Sequence, residues 1–302
     1  MASSSSNIQQ QETGHSSVVA QHYNQLEEKG RAARAESRIF YLRNFNNWIK
    51  SMLIGEFLQR VKEDKGREAE INVLDIGAGK GGDLLKWKKG DINHLTCADI
   101  AGTSMEQCQQ RYRDMMNRNR RQRDRGRCFT AEFITADCTK VNLKEKYNDP
   151  SIQFDISSIQ FSFHYCFESL AQAECMIQNA AECLRPGGYL IGTTPDANDI
   201  VRRVNEAEGL SFGNDIFSVT CESKDSFPIF GAKYDFHLEG VVDCPEFLVY
   251  FPAVEKIAEE NGLKLVYKKR FEEFFYEYKT TENGKTLLSK MHALEVSSFC
   301  VN

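Results

Sequence analysis

VLDIGAGKGG, Val73 to Gly82, is the stretch from which the rest of this 302-residue chain is read. An apolar, β-branched run ends in an acid. Glycines then alternate with small or cationic residues, and an amphipathic stretch opens at Leu84. Glycine permits a tight turn and lets the backbone approach a ligand with no side chain between them. Asp99 closes the next apolar run, 22 residues after Gly77, where a carboxylate accepts hydrogen bonds from two ribose hydroxyls. Strand, glycine loop, helix and acid together imply a cradle for a nucleoside cofactor.

The loop alone leaves the cofactor open. Gly77, Gly79 and Gly82 satisfy G-x-G-x-x-G, so a dinucleotide-dependent dehydrogenase stands as one reading. Three features tilt it elsewhere. Asp75, two residues before the loop, would repel a pyrophosphate but meet an ammonium or a sulfonium-bearing ligand. Gly81 turns the spacing into D-x-G-x-G-x-G, the usual form of an S-adenosylmethionine loop. AEFITAD (Ala131 to Asp137) ends a further strand in an acid, and LRPGGYLIGTTP (Leu184 to Pro195) reads as helix end, turn and strand. Together these resemble a class I methyltransferase.

Composition bounds the alternatives. Apolar residues make up 41% of the chain, enough for a core, and a net charge of −5 excludes a generally basic nucleic-acid coat. A nucleic-acid partner must therefore use a local patch. The ten cysteines form no C-x-x-C pair and several lie in apolar runs, which reads as buried reduced thiols of a cytosolic or nuclear protein, without a metal site. No apolar run approaches the ~20 residues of a membrane span.

Residues 1–17 are Ser/Gln-rich and read as a disordered tail, with one methyltransferase domain over 18–302. Within it, Ile39, Leu42, Phe45, Ile49, Leu53 and Phe57 recur at helical spacing, so 18–60 reads as N-terminal helices. Strand candidates are INVLDIG, HLTCADI, AEFITAD, FDISSIQF, YLIGTTP and LKLVYKKRF, with helices between most of them. The expected fold is α/β: a mostly parallel, Rossmann-like sheet covered on both faces, with the cofactor core over 71–195. Asp75, Asp99, Asp137 and Gln160 each close a strand candidate, so all four are expected in one crevice. Between Ser211 and Tyr250 the rhythm changes to alternating residues with turns, an inserted antiparallel ribbon at the acceptor pocket.

Further residues carry candidate chemistry. Asn46 and Lys50 share a helix face, with Asn47 one residue round; a solvated flank is the plainer reading. Lys80, Lys86, Lys88 and Lys89 are expected on the helix behind the loop, with Lys80 at its positive end. Arg111 to Arg127 holds eight arginines against two aspartates, a phosphate-binding run, an import signal or simply a solvated loop. QFSFHYCF (Gln160 to Phe167) brings amide, aromatics and imidazole to the crevice, the chemistry that a purine's face and edge require. Glu246, flanked by apolar residues in CPEFLVYFP, needs partners if buried; the two donors on a guanine edge would serve, and so would a helix N-terminus after Pro245.

NFNNWIK, VLDIGAGKGGDLLKW, FITAD, QFSFHY, FGNDIF, KYDF-x-LEG and PEFLVYFP together closely resemble the mRNA cap guanine-N7 methyltransferase family of animals, from about Val18 to Ala293. The resemblance implies methyl transfer from S-adenosylmethionine to guanine N7 of the GpppN cap on nascent mRNA, in the nucleus. It implies cofactor contacts at Lys50, Gly77, Asp99, Asp137, Gln160 and Tyr165, joined here by Asp75 and Gly79 from the loop. Cap contacts are implied at Asn46, Asn47, Lys80, Lys86, Arg111, His164 and Glu246, with Phe161 stacking on the base. No residue is expected to act as proton acceptor, because guanine N7 carries a lone pair and no proton. Vertebrate members also bind a small activating subunit. The family continues with a longer helical segment and a last antiparallel strand, whereas the likeness here fades after Leu294. The final strand is thus expected to be missing, with weaker cofactor binding and reduced transfer. A catalytically impaired, cofactor- or RNA-binding scaffold is the alternative.

Overall fold

A computed structural model describes residues 14–26, 36–66, 68–122 and 128–295. Strand β1 (Asn72–Ile76) lies at the centre of a five-stranded sheet with β2 (His94–Asp99), β3 (Thr130–Thr135), β4 (Phe154–Gln160) and β5 (Leu184–Thr193). The order is β3-β2-β1-β4-β5 and every pairing is parallel. Parallel neighbours need crossovers, and these place helices on both faces. Connections leave β1 in opposite directions, so a crevice opens between the carboxyl ends of β1 and β4.

One face carries α2 (Phe40–Lys65), α3 (Leu84–Lys89), α4 (Gly102–Gln122), α8 (Phe271–Tyr278) and α9 (Glu282–Met291). In α2, Trp48, Ile49, Met52, Leu53, Phe57, Leu58 and Val61 turn inward at spacings of three and four. Burying each such side chain contributes ~1.5–3 kcal/mol, so packing holds this helix more than propensity does. The Trp48 indole also donates to the Gly284 carbonyl, tying α9 to α2. The helix stops at Gly66, whose φ of 92° lies in the left-handed region and whose N–H bonds to Lys62 O. The other face carries α5 (Leu170–Ala181) and α7 (Phe251–Glu260).

The ribbon expected over 211–250 is a second sheet, antiparallel, ordered β6 (Ser211–Gly213), β7 (Phe217–Cys221), β8 (Lys233–Leu238) and β9 (Val242–Phe247). It packs on α6 (Ala197–Glu206) through Val204, Val219 and Tyr234.

Several expectations change. Helix α1 (Ser16–Gln25) begins inside the stretch read as a disordered tail, while residues 1–13 lie outside the described ones. Pro186-Gly187-Gly188 does not precede β5 but bulges within it, where the register to β4 shifts. LKLVYKKRF forms no strand: residues 264–270 run without ladder bonds, with Leu265 and Val266 about half exposed. Alternation marks a chain able to pair but supplies no partner, and β5 is an edge among the described strands. The last part of the Arg111–Arg127 run and residues 296–302 lie outside the described residues.

Candidate functional site

A cavity of about 250 Å³ opens where β1 and β4 part. Its floor is the glycine loop. Gly77 has φ 71°, and a Cβ there would lie 2.2 Å from Ser162 Oγ, so only glycine leaves the space open. Asp99, the last residue of β2, accepts the Gly79 N–H on Oδ2 and the Ala101 N–H on Oδ1, each at 2.8 Å. A carboxylate oxygen has about two acceptor positions, so each keeps one for a ligand. Burial pushes the Asp99 carboxyl up, and the two backbone N–H groups oppose that rise.

Asp137, just beyond β3, accepts from both Thr139 N and Thr139 Oγ1. Gln160, the end of β4, donates to Ser158 Oγ and accepts from Thr193 Oγ1, which fixes its amide at the wall. Phe161 follows with φ 58°, a left-handed conformation that costs a non-glycine residue ~1–2 kcal/mol. Its N–H is held by Thr193 O and Thr193 Oγ1, and the residue lines the cavity with its ring edge-on to Phe271. Asp99, Asp137, Gln160, Phe161, Tyr165, Gly77 and Gly79 therefore line one space, as the sequence predicted.

Asp75 does not join them. Successive residues of a strand face opposite sides. Leu74 and Ile76 pack toward α5, and Asp75 turns to the opposite face, where its carboxylate accepts from the Trp87 indole at 3.1 Å. Burial, and then the charge of Asp83, push its carboxyl up to about 7. Lys50 also lies off the cavity wall. It pairs with Asp83 Oδ2 at 2.9 Å, while its ammonium stands 6.0 Å from the Phe161 ring centre. Lys86 meets Asp83 Oδ1 at 2.6 Å, Asn47 Oδ1 at 2.8 Å and Gly82 O at 3.3 Å. The two lysines hold the Asp83 carboxyl below its usual range against its burial.

Lys80 is in the turn ahead of α3 and not on that helix; its ammonium donates to Leu26 O. Arg111, on α4, donates to Lys80 O at 2.8 Å, which braces the loop. Asn46 and Asn47 ride on α2, half-buried and exposed.

On the other flank, Tyr165 leads from the cavity to a buried polar group. Its ring centre is 4.2 Å from that of His164. His164 Nε2 lies 3.2 Å from Glu246 Oε1, both residues being 3% exposed, yet neither imidazole nitrogen makes a hydrogen bond. Glu246 Oε2 accepts from Tyr234 OH at 2.6 Å. Since Glu246 belongs to β9 and α7 begins at Phe251, the helix N-terminal reading of this carboxylate is excluded.

Residues that the sequence reading missed form the roof. His15, just before the first helix, and Val19 and Tyr23 within it close over the cavity. His15 N and Nδ1 contact Glu168 Oε1 at 3.0 and 2.8 Å, and Tyr23 OH meets Tyr165 OH at 2.9 Å. Asn24 Oδ1 accepts from Thr103 N in the first turn of α4. The reading of 18–60 as helices includes most of this segment, but nothing local tells which surface it covers. Asp83 and Tyr234 were missed likewise: one is a plain acid after the glycines, the other a strand residue found only through its cross-strand partner.

The residues suit the adenosyl cofactor expected from the loop: a backbone floor, a carboxylate with free acceptor positions, an amide and aromatic walls. The volume lies just under the ~300–1,000 Å³ usual for small-molecule pockets, with Val19 and Tyr23 over the mouth.

The family described as mRNA (guanine-N(7))-methyltransferase domain matches residues 6–299, wider than the 18–293 likeness expected. The chain is 52% identical over 282 residues to the mRNA cap guanine-N(7) methyltransferase of Drosophila melanogaster, covering 92% of this chain and 65% of that protein. It is 40% identical over 285 residues to the protein of that name in Caenorhabditis elegans, covering 93% and 72%. Against mRNA cap guanine-N(7) methyltransferase 1 of Arabidopsis thaliana it is 38% identical over 283 residues, covering 91% and 73%. Just under two thirds of the fly relative's length is thus spanned. With that match and a cavity built from its motif residues, the chain belongs to the mRNA cap guanine-N7 methyltransferase family.

Proposed function

We propose that this chain transfers the methyl group of S-adenosylmethionine to N7 of the guanine in the 5′ GpppN cap of RNA. The observation that carries the reading is His164 beside Glu246: a buried imidazole and carboxylate that do not line the cavity themselves but stand behind Tyr165 of its wall, with neither ring nitrogen in a hydrogen bond. Nε2 has only the carboxylate contact and Nδ1 has none, and a buried polar atom without a hydrogen bond costs about 1–3 kcal/mol, which a ligand's edge would offset.

The cofactor supplies a methyl carbon already activated by a sulfonium. Guanine N7 presents an in-plane lone pair and no proton, so the protein's part is position. Ordered approach of two reactants lowers a barrier by roughly 7–11 kcal/mol. Glu246 and His164 grip the base edge, and Phe161 offers a ring to its face. Lys86, Lys80 and Arg111 supply positive charge for the triphosphate bridge, Lys86 exchanging Gly82 O or Asn47 for phosphate oxygen. Nascent capped RNA arises in the nucleus, so the reading extends to a nuclear RNA-binding enzyme.

Incubation of the protein with GpppG-capped RNA and labelled S-adenosylmethionine tests this. Transfer to N7 that Glu246→Ala lowers, without abolishing it, supports the reading. Intact cofactor binding with no transfer by the unaltered chain rejects it in favour of a scaffold.

A further inference from the structure

Tyr234 and Glu246 stand opposite each other in the β8–β9 register, where the strand backbone fixes both partners. The phenol donates to Glu246 Oε2 at 2.6 Å, and Tyr234 is 1% exposed. Glu246 Oε1 is the atom beside His164 Nε2, at 3.2 Å. A carboxylate turns easily about its terminal bond, so an isolated one presents no fixed plane. Here one oxygen is anchored and the other faces the imidazole. Burial and the Glu246 charge raise the phenol's ionisation well above its ordinary range, so Tyr234 remains a donor.

We propose that Tyr234 is a positioning residue for acceptor recognition. It fixes the plane of the Glu246 carboxylate, so that the remaining acceptor positions meet the two donors on guanine's Watson–Crick edge, N1–H and the 2-amino group. The inference rests on the proposed function and deepens it, because it names the element that makes the carboxylate selective. Each carboxylate oxygen has about two acceptor positions, and Tyr234 takes one on Oε2 only, so enough remain for both base donors. A carboxylate free to swing would still attract a purine. It would no longer require that both donors be present.

Hypoxanthine, which lacks the 2-amino group, separates the two cases. The experiment measures kcat/KM for GpppG- and IpppG-capped RNA, and the KM for cofactor, in the unaltered protein, in Tyr234→Phe, in Glu246→Ala and in the double variant. The unaltered protein should favour the guanine cap by about ten- to hundred-fold, the value of one hydrogen bond to a charged acceptor. Tyr234→Phe should pull that ratio toward one while the KM for cofactor stays within about two-fold. In the Glu246→Ala background the same substitution should leave the ratio unchanged, since Tyr234 acts through Glu246. A merely structural tyrosine would lower both caps equally, and an unchanged guanine-to-inosine ratio in Tyr234→Phe overturns the proposal. So does a further fall of the ratio in the double variant. Should Tyr234→Phe not fold, 3-fluorotyrosine at 234, which keeps the ring and sharpens the donor, must shift the ratio; no shift overturns the proposal as well. Failure of the unaltered protein to methylate either cap rejects the function itself, a result distinct from a failed ratio.

Discussion

The two flanks of the cavity are built on opposite terms. On the cofactor side each polar group already has a partner within the protein: Asp99 holds two backbone N–H groups, Asp137 holds Thr139, and Gln160 lies between Ser158 and Thr193. On the acceptor side His164 is buried with neither ring nitrogen hydrogen-bonded, beside a carboxylate steadied by a single phenol. The first arrangement is preorganised and leaves spare acceptor positions for a ligand that many enzymes share. On the proposed function, the second leaves a demand that a guanine edge would satisfy. The two flanks thus differ in how many partners the protein keeps for itself.

The largest blow to the preorganised side is Gly77→Ala. Left-handed backbone costs a side-chain-bearing residue about 1–3 kcal/mol, and a new Cβ would collide with Ser162. Titration with S-adenosylhomocysteine should show binding lost; binding within a few-fold of normal would break the view of a rigid backbone floor.

Glu246→Ala should strike the other side alone. Removal of the carboxylate leaves Tyr234 OH unpaired, and kcat/KM for the cap should fall roughly 5- to 150-fold, equivalent to about 1–3 kcal/mol. Calorimetry should find cofactor-product binding unchanged. Equal losses in both would erase the distinction between the flanks.

Asp75 sharpens the comparison by belonging to neither flank. Its carboxyl is raised from the usual 3.8 to about 7. Between those two pH values the folded chain keeps a proton that the unfolded chain has released. Stability from this group therefore falls as pH rises through that window and levels off above it. Thermal midpoints from pH 5 to 7.5 should decline more steeply for the unaltered protein than for Asp75→Asn. Parallel declines would show that another group carries the slope.

Tyr23→Phe should have the smallest effect. It removes one hydroxyl contact from roof to wall, about 0.5–1.5 kcal/mol, or two- to ten-fold in cofactor-product affinity. The guanine-to-inosine ratio should not move, since the acceptor edge is untouched.

Much of this was legible beforehand because parallel sheets announce themselves. Short apolar runs that end in acids, with glycines between, are local consequences of a buried strand leading into a ligand crevice. Asp99, Asp137 and Gln160 follow from that logic, His164 from its place in QFSFHYCF after a strand end, and Glu246 from the cost of a carboxylate among apolar residues. Asp75 was misplaced because strand ends converge on a crevice while side chains alternate; the penultimate residue of β1 points to the wrong face. LKLVYKKRF was misread because alternation records a capacity to pair, and pairing needs a neighbour.

By itself the chain's order of residues determined the strand-and-glycine frame, the acids at strand ends and the family likeness, since each depends on spacing within a few residues. Only the tertiary structure decided that α1 roofs the cavity, that Lys50 reaches Asp83, and that Tyr234 steadies Glu246. Those contacts join segments distant in sequence or strands whose register is set by pairing. Burial, which gives them their strength, is a property of the whole fold.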